Sequence, residues 1–212
     1  LNPFNASAYR DMGAMYFYLD KRQEAIDMFN LALEIKPDHA IYSNLATLYY
    51  YEGRYADAAK AYEAALGLGE TSYDVWGYLA TAYEWSGKKE EAKRAHRQAI
   101  QLAKERLEVN PRDPEVLGHL ASYYAHLGER DSALATVKTL LAQSPTDPQD
   151  LSRIGETYEM LGEREQAIKW LEKALENGYA RAEIVDYPGF KDLLADPDFQ
   201  AVLKRYESTN DQ

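Results

Sequence analysis

The chain has 212 residues, 46% of them hydrophobic, no cysteine and a formal net charge of -11. That length and composition suffice for a buried core, the acidic balance works against a phosphate backbone as partner, and the missing thiols exclude disulfides, thiolate metal sites and a cysteine nucleophile. No apolar run approaches the ~18 residues that span a bilayer, the N-terminal stretch lacks a secretory-signal layout, and 18 tyrosines beside few Val and Ile favour helices over sheet.

Taken from the N-terminus, the predicted elements come in pairs. AYRDMGAMYFY is followed by DKRQEAIDMF, IYSNLATLYYY by EGRYADAAKAY, VWGYLATAYEW by SGKKEEAKRAH, VLGHLASYYAH by LGERDSALATV, and DLSRIGETYEM by LGEREQAIKWL. Aligned on Ala25, Ala58, Ala92, Ala133 and Ala167, the units repeat at steps of 33, 34, 41 and 34 residues, the period of a stacked array. Within each unit, two segments with apolar residues at helical spacing are parted by a turn holding Gly53, Gly87, Gly128 or Gly162, with Asp20 in that place in the first copy. The pattern predicts five helical hairpins. Small residues mark close approach on the first helices, at Gly13, Ala46, Ala80, Ala121 and Gly155. Tyr9, Tyr42, Trp76, Leu117 and Leu151, together with Tyr16, Tyr49, Tyr83, Tyr124 and Tyr158, read as core.

The 41-residue step adds seven residues to a helix predicted from Lys88 to Glu108. Seven is close to two turns, so the buried stripe stays in phase and the helix is expected to protrude by ~10 Å as a docking handle, a bend or a neutral insertion. Just before it, Gly69 suits the end of the second hairpin. After Tyr179 the repeat stops, and DYPGFKDLLADPDFQAVLKRY predicts two short amphipathic helices, with Pro188 near the start of one and Asp196 and Pro197 as N-cap and first residue of the other. Phe190, Leu193, Leu194, Phe199, Val202 and Leu203 would cover the edge of the last hairpin as a solubilising cap.

A period of about 34 residues carrying aromatic, small residue, Tyr, Gly, Ala, aromatic, Ala and Pro resembles the tetratricopeptide repeat. The resemblance implies an all-α, right-handed superhelix (an α-solenoid) whose first helices line a concave groove and whose second helices form the convex back. It covers residues 6–179 as five repeats, about 6–38, 39–72, 73–113, 114–147 and 148–179, with 180–212 as C-terminal cap. Two features depart from the family pattern: Leu140 stands where Ala32, Ala65, Ala99 and Ala174 stand, and the second copy lacks its closing proline. Pro37, Pro111 and Pro145 close other second helices, and Pro3 precedes Pro37 by one period. Residues 1–5 therefore read as the tail of an upstream repeat, leaving an exposed N-terminal end open to homodimerisation. LLADPDFQAVL also resembles the endings of tetratricopeptide regions in large bacterial regulators and receptor-like kinases.

The resemblance points to a protein or peptide partner held in the groove, as the regulatory part of a larger protein, with self-assembly as the alternative. Residues expected to face the groove are Arg10, Phe17 and Tyr18, then Asn44, Thr47 and Tyr51, then Gly77, Tyr78, Thr81 and Trp85, then His119, Ser122 and His126, then Arg153, Glu156 and Glu159. Rings beside small residues bury area at low entropic cost, which suits an extended peptide or a helix. The carboxylate clamp of tetratricopeptide co-chaperones is matched only by Asn44 and Arg10, since Ala14 replaces an Asn and Asp74 and Tyr78 replace cations. His119 and His126 are two turns apart, ~10 Å, too far to share one metal ion. With no phosphate loop, nucleophile elbow or acid pair, neither catalysis nor a cofactor is expected, and the compartment is expected to be the cytoplasm.

Overall fold

The computed structural model of the chain describes residues 5–19, 21–69 and 71–206. Among them every regular element is helical. The helices are α1 (Ala6–Tyr18), α2 (Arg22–Ile35), α3 (His39–Tyr51), α4 (Tyr55–Gly67), α5 (Tyr73–Trp85), α6 (Lys89–Val109), α7 (Pro114–His126), α8 (Arg130–Leu141), α9 (Pro148–Met160) and α10 (Arg164–Glu176). Three short helices follow, α11 (Arg181–Asp186), α12 (Lys191–Leu194) and α13 (Pro197–Arg205), with a 3-10 turn at Pro188–Phe190. The chain divides into two compact units, residues 1–99 and 100–212, and the boundary falls inside α6.

Local sequence sets where these helices start and stop. The side chains of Asn5, Asp38, Asp113, Asp147 and Asp196 accept hydrogen bonds from the first free backbone N–H groups of α1, α3, α7, α9 and α13. Pro114, Pro148 and Pro197 occupy first-turn positions, where a missing N–H costs nothing. Each of the four later hairpins turns on a glycine in the left-handed region, at φ +71° (Gly53), +82° (Gly87), +72° (Gly128) and +75° (Gly162). Gly69, at φ +96°, ends α4 in the same way. Asp20 and Pro3 lie outside the described residues.

Second helices pack through one stripe at i, i+4 and i+7. Ala25, Phe29 and Ala32 are buried on α2, Ala58, Tyr62 and Ala65 on α4, and Ala92, His96 and Ala99 on α6. In the second unit the stripe is Ala133, Val137 and Leu140 on α8, then Ala167, Leu171 and Ala174 on α10. Leu140, the departure from alanine, is fully buried and packs with Leu117, Ala121, Val137 and Ile154. The facing small residues allow the close approach. A Cβ on Gly13 would stand 2.6 Å from the Phe29 ring, and one on Gly155 would stand 2.6 Å from Leu171 Cγ.

The extended helix does not simply protrude. At 21 residues α6 is eight longer than α5, yet Ala103 is buried and Leu107 packs against the cluster of Leu117, Ala121, Val137, Leu140 and Ile154. Because the insertion preserves phase, its apolar residues continue the same stripe and find a core to join. At the C-terminus the expected two helices are three, α11 being the addition. Ile184, Phe190, Leu193, Phe199, Val202 and Leu203 form one core with Leu171 and Leu175 of α10.

Candidate protein-binding site

Aromatic side chains at the ends of first helices form the main exposed apolar feature of the first unit. The rings run in a connected series. Phe17 of α1 stacks on Tyr51 of α3 with centroids 6.5 Å apart, and Tyr51 meets the edge of Tyr50 at 6.2 Å. Tyr50 meets the edge of Tyr55 at 5.3 Å, and Tyr55 lies 6.1 Å from Trp85 of α5. Three members of the series remain well exposed: Phe17 at 38%, Tyr51 at 41% and Trp85 at 40%. Tyr78 is also exposed, stacked at 6.1 Å on buried Tyr62, whose hydroxyl hydrogen-bonds Thr47 Oγ1 at 3.1 Å. Burial holds the Tyr62 phenol well above its usual range, so it stays protonated.

The run Tyr49, Tyr50 and Tyr51 separates into three roles. Tyr49 is half-buried in the core, with the Arg54 guanidinium 4.2 Å from its ring centroid. Tyr50 turns to the neighbouring rings, and Tyr51 points to solvent with Arg22 5.7 Å from its centroid. Asn44 and Arg10 are exposed, and Arg10 lines a shallow depression of about 140 Å³ with Ala6, Ser7, Lys36, Asp38 and Ile41. Thr47 and Thr81 are half-buried, each hydroxyl donating to the carbonyl four residues earlier. Sequence reasoning missed Tyr50 and Tyr55, the rings that connect the exposed members. Tyr55 occupies the first position of a second helix, where α2, α8 and α10 carry arginine, and that exception was its visible signal.

In the second unit the residues at equivalent positions behave differently. His119 and Ser122 are buried, and Arg153 and His126 are partly covered. Burial, with the Arg153 charge adding to it, pushes the His119 imidazole down to about 3, so it is neutral, and its Nδ1 lies 3.2 Å from the Tyr123 hydroxyl. His126 Nε2 is 3.9 Å from Glu156 Oε1, and that carboxylate also accepts a hydrogen bond from Tyr187. Burial alone would raise Glu156, but His126, Tyr187 and Arg153 outweigh it and hold the carboxyl below the usual range. Glu159 is raised by burial and pairs with Arg164 at 2.6 Å. The two histidines of α7 thus serve separate partners.

Paired helices of this length, a buried stripe opening on an alanine in each second helix and a left-handed glycine at each later turn define a helical-hairpin repeat scaffold. Tetratricopeptide-repeat models match residues 6–39, 49–95, 94–153 and 151–177, together more than half of the chain, which belongs to the tetratricopeptide-repeat family. No curated protein sequence matches it. Among solved structures it is similar to TTC0263, a thermophilic TPR protein of Thermus thermophilus, at 24% identity and TM-score 0.62, over 95% of this chain and 98% of that one. It is similar also to the Cut9–Hcn1 hetero-tetramer of the APC/C, at 16% identity and TM-score 0.60, over 97% of this chain and 37% of the other. YrrB, a TPR protein with an unusual peptide-binding site, matches at 22% identity and TM-score 0.54, over 84% and 88% of the two chains. At these identities the likeness is one of fold. As a member of this family the chain is a scaffold for protein–protein interaction. No helix among the described residues is long and apolar enough to cross a membrane.

Proposed function

We propose that the first unit holds a segment of a partner protein against the aromatic series of α1, α3 and α5, with Tyr78 and Thr81 as flanking contacts. The observation that carries this reading is that three successive first helices each leave a large ring exposed, and that the rings are joined into one surface. Rigid rings already ordered by their neighbours lose little further entropy when a ligand covers them, which is why such residues dominate binding energy at interfaces. The peptide-binding site named for YrrB agrees with this reading without locating a site here. An extended or helical segment of a protein is the ligand class such a surface fits.

Affinity capture from the source cell tests it. Proteins recovered by the wild-type chain and lost with the Tyr51→Ala, Trp85→Ala double variant, at unchanged helix content, would identify the partner. Equal recovery by both proteins would overturn the proposal.

A further inference from the structure

Within the ring series, one position of the repeat changes its chemistry. The first residue of a second helix is Arg22 in α2, Lys89 in α6, Arg130 in α8 and Arg164 in α10, but Tyr55 in α4. In the first unit this position meets the last residue of the next first helix, one hairpin on. Arg22 donates from Nη1 to the Tyr51 carbonyl at 3.4 Å, and its guanidinium lies 5.7 Å from the Tyr51 ring centroid. Tyr55 instead sets a ring against a ring: its centroid is 6.1 Å from that of Trp85, with the planes at 38°. Tyr51 and Trp85 are the residues that end α3 and α5.

Tyr55 is itself held from another direction. Its ring and that of Tyr50 meet edge to face, 5.3 Å apart and at 67°. Both separations fall in the range where aromatic pairs attract. Tyr55 is half-buried, whereas the indole it touches is 40% exposed. An exposed indole without such a neighbour samples several rotamers, and a ligand that covers it must order it at an entropic cost. A ring anchored in the surface beside it removes part of that cost in advance.

We infer that Tyr55 is a positioning residue of the binding surface: its ring holds the Trp85 indole in the orientation in which a ligand meets it. The inference rests on the reading that the ring series binds a partner segment, and adds how one of the exposed rings is kept in place. Arg22 stands in the same relation to Tyr51 through a cation and a carbonyl.

The test labels the intact chain with 5-fluorotryptophan and reads Trp76, Trp85 and Trp170 by fluorine NMR, the Trp85 line being assigned by its loss in Trp85→Phe. In Tyr55→Ala the Trp85 line is expected to narrow and to move towards the position of unfolded tryptophan while the Trp170 line stays, and Tyr55→Phe is expected to restore it. An unmoved Trp85 line in Tyr55→Ala, or one that Tyr55→Phe displaces equally, overturns the inference. So does an equal displacement of all three lines, which a general loosening of the fold would give. In affinity capture, recovery of the partner should fall about two- to tenfold with Tyr55→Ala and be retained with Tyr55→Phe. Full recovery by Tyr55→Ala, where the Tyr51→Ala, Trp85→Ala double variant recovers nothing, overturns the inference and leaves the binding surface standing. Equal recovery by the double variant overturns the surface itself, whatever the fluorine lines show.

Discussion

His119 and Gly155 show how much single side chains in this array depend on what faces them. The unfolded chain takes up a proton at His119 near pH 6.5, while the folded chain refuses it down to about 3. Between those values the unfolded state binds more protons, so stability falls as the pH is lowered through the window, by at most about 1.4 kcal/mol per unit. Urea midpoints at about pH 7 and about pH 5.5 should therefore show a loss in the wild type that exceeds the loss in His119→Gln by about 1 kcal/mol. At Gly155 two effects compete. Alanine would favour the helix by about 1 kcal/mol, but a Cβ there meets Leu171 Cγ at 2.6 Å and its backbone nitrogen at 3.2 Å, in a side chain with no exposure. Displacing it costs about 1–3 kcal/mol, so Gly155→Ala is expected to lose about 1 kcal/mol in a denaturation series.

Between helices, a recurrent arginine ties one hairpin to the next. Arg22, Arg130 and Arg164 stand at the first position of α2, α8 and α10, and each donates through Nη1 to a backbone carbonyl further along the chain. Arg22 reaches Tyr51 O at 3.4 Å, Arg130 reaches Leu161 O at 2.8 Å, and Arg164 reaches Asp192 O at 3.0 Å. The first two acceptors lie at the C-terminal ends of α3 and α9, where carbonyls lack helical partners and a cation complements the dipole. The third belongs to the cap, which thereby receives the last hairpin as a further repeat would. Arg164 also pairs with Glu159, whose carboxylate is largely covered. Arg164→Ala is expected to cost about 1–3 kcal/mol locally and to speed amide exchange in α12 and α13 ahead of α1 to α4. Equal exchange in the two proteins would remove this role for the arginine. The repeat spacing made the hairpins and their glycine turns legible, because period and turn chemistry are local properties. The third cap helix was not legible: Arg181–Asp186 is only six residues long, too short for a helical period to declare itself.

At the scale of the molecule, charge and repetition govern behaviour. A net charge of -11 spread over a stack of short-range contacts repels itself, so moderate salt should raise the melting temperature by screening. A fall in melting temperature between about 10 mM and about 300 mM sodium chloride would contradict that account. The candidate surface was readable in part. Tyr51 and Trp85 share one register position, with Phe17 one residue out of that register, and the same reasoning proposed His119 and Ser122, which are buried. Register fixes the direction in which a side chain leaves its helix, but not what the rest of the chain brings over it. The residues that let repeats stack, such as Ala58, Tyr62 and Ala65 on a second helix, and those that meet solvent, Phe17, Tyr51 and Trp85 on first helices, are separate sets. A lineage can therefore exchange one exposed ring for another side chain without reopening the problem of how the array holds together.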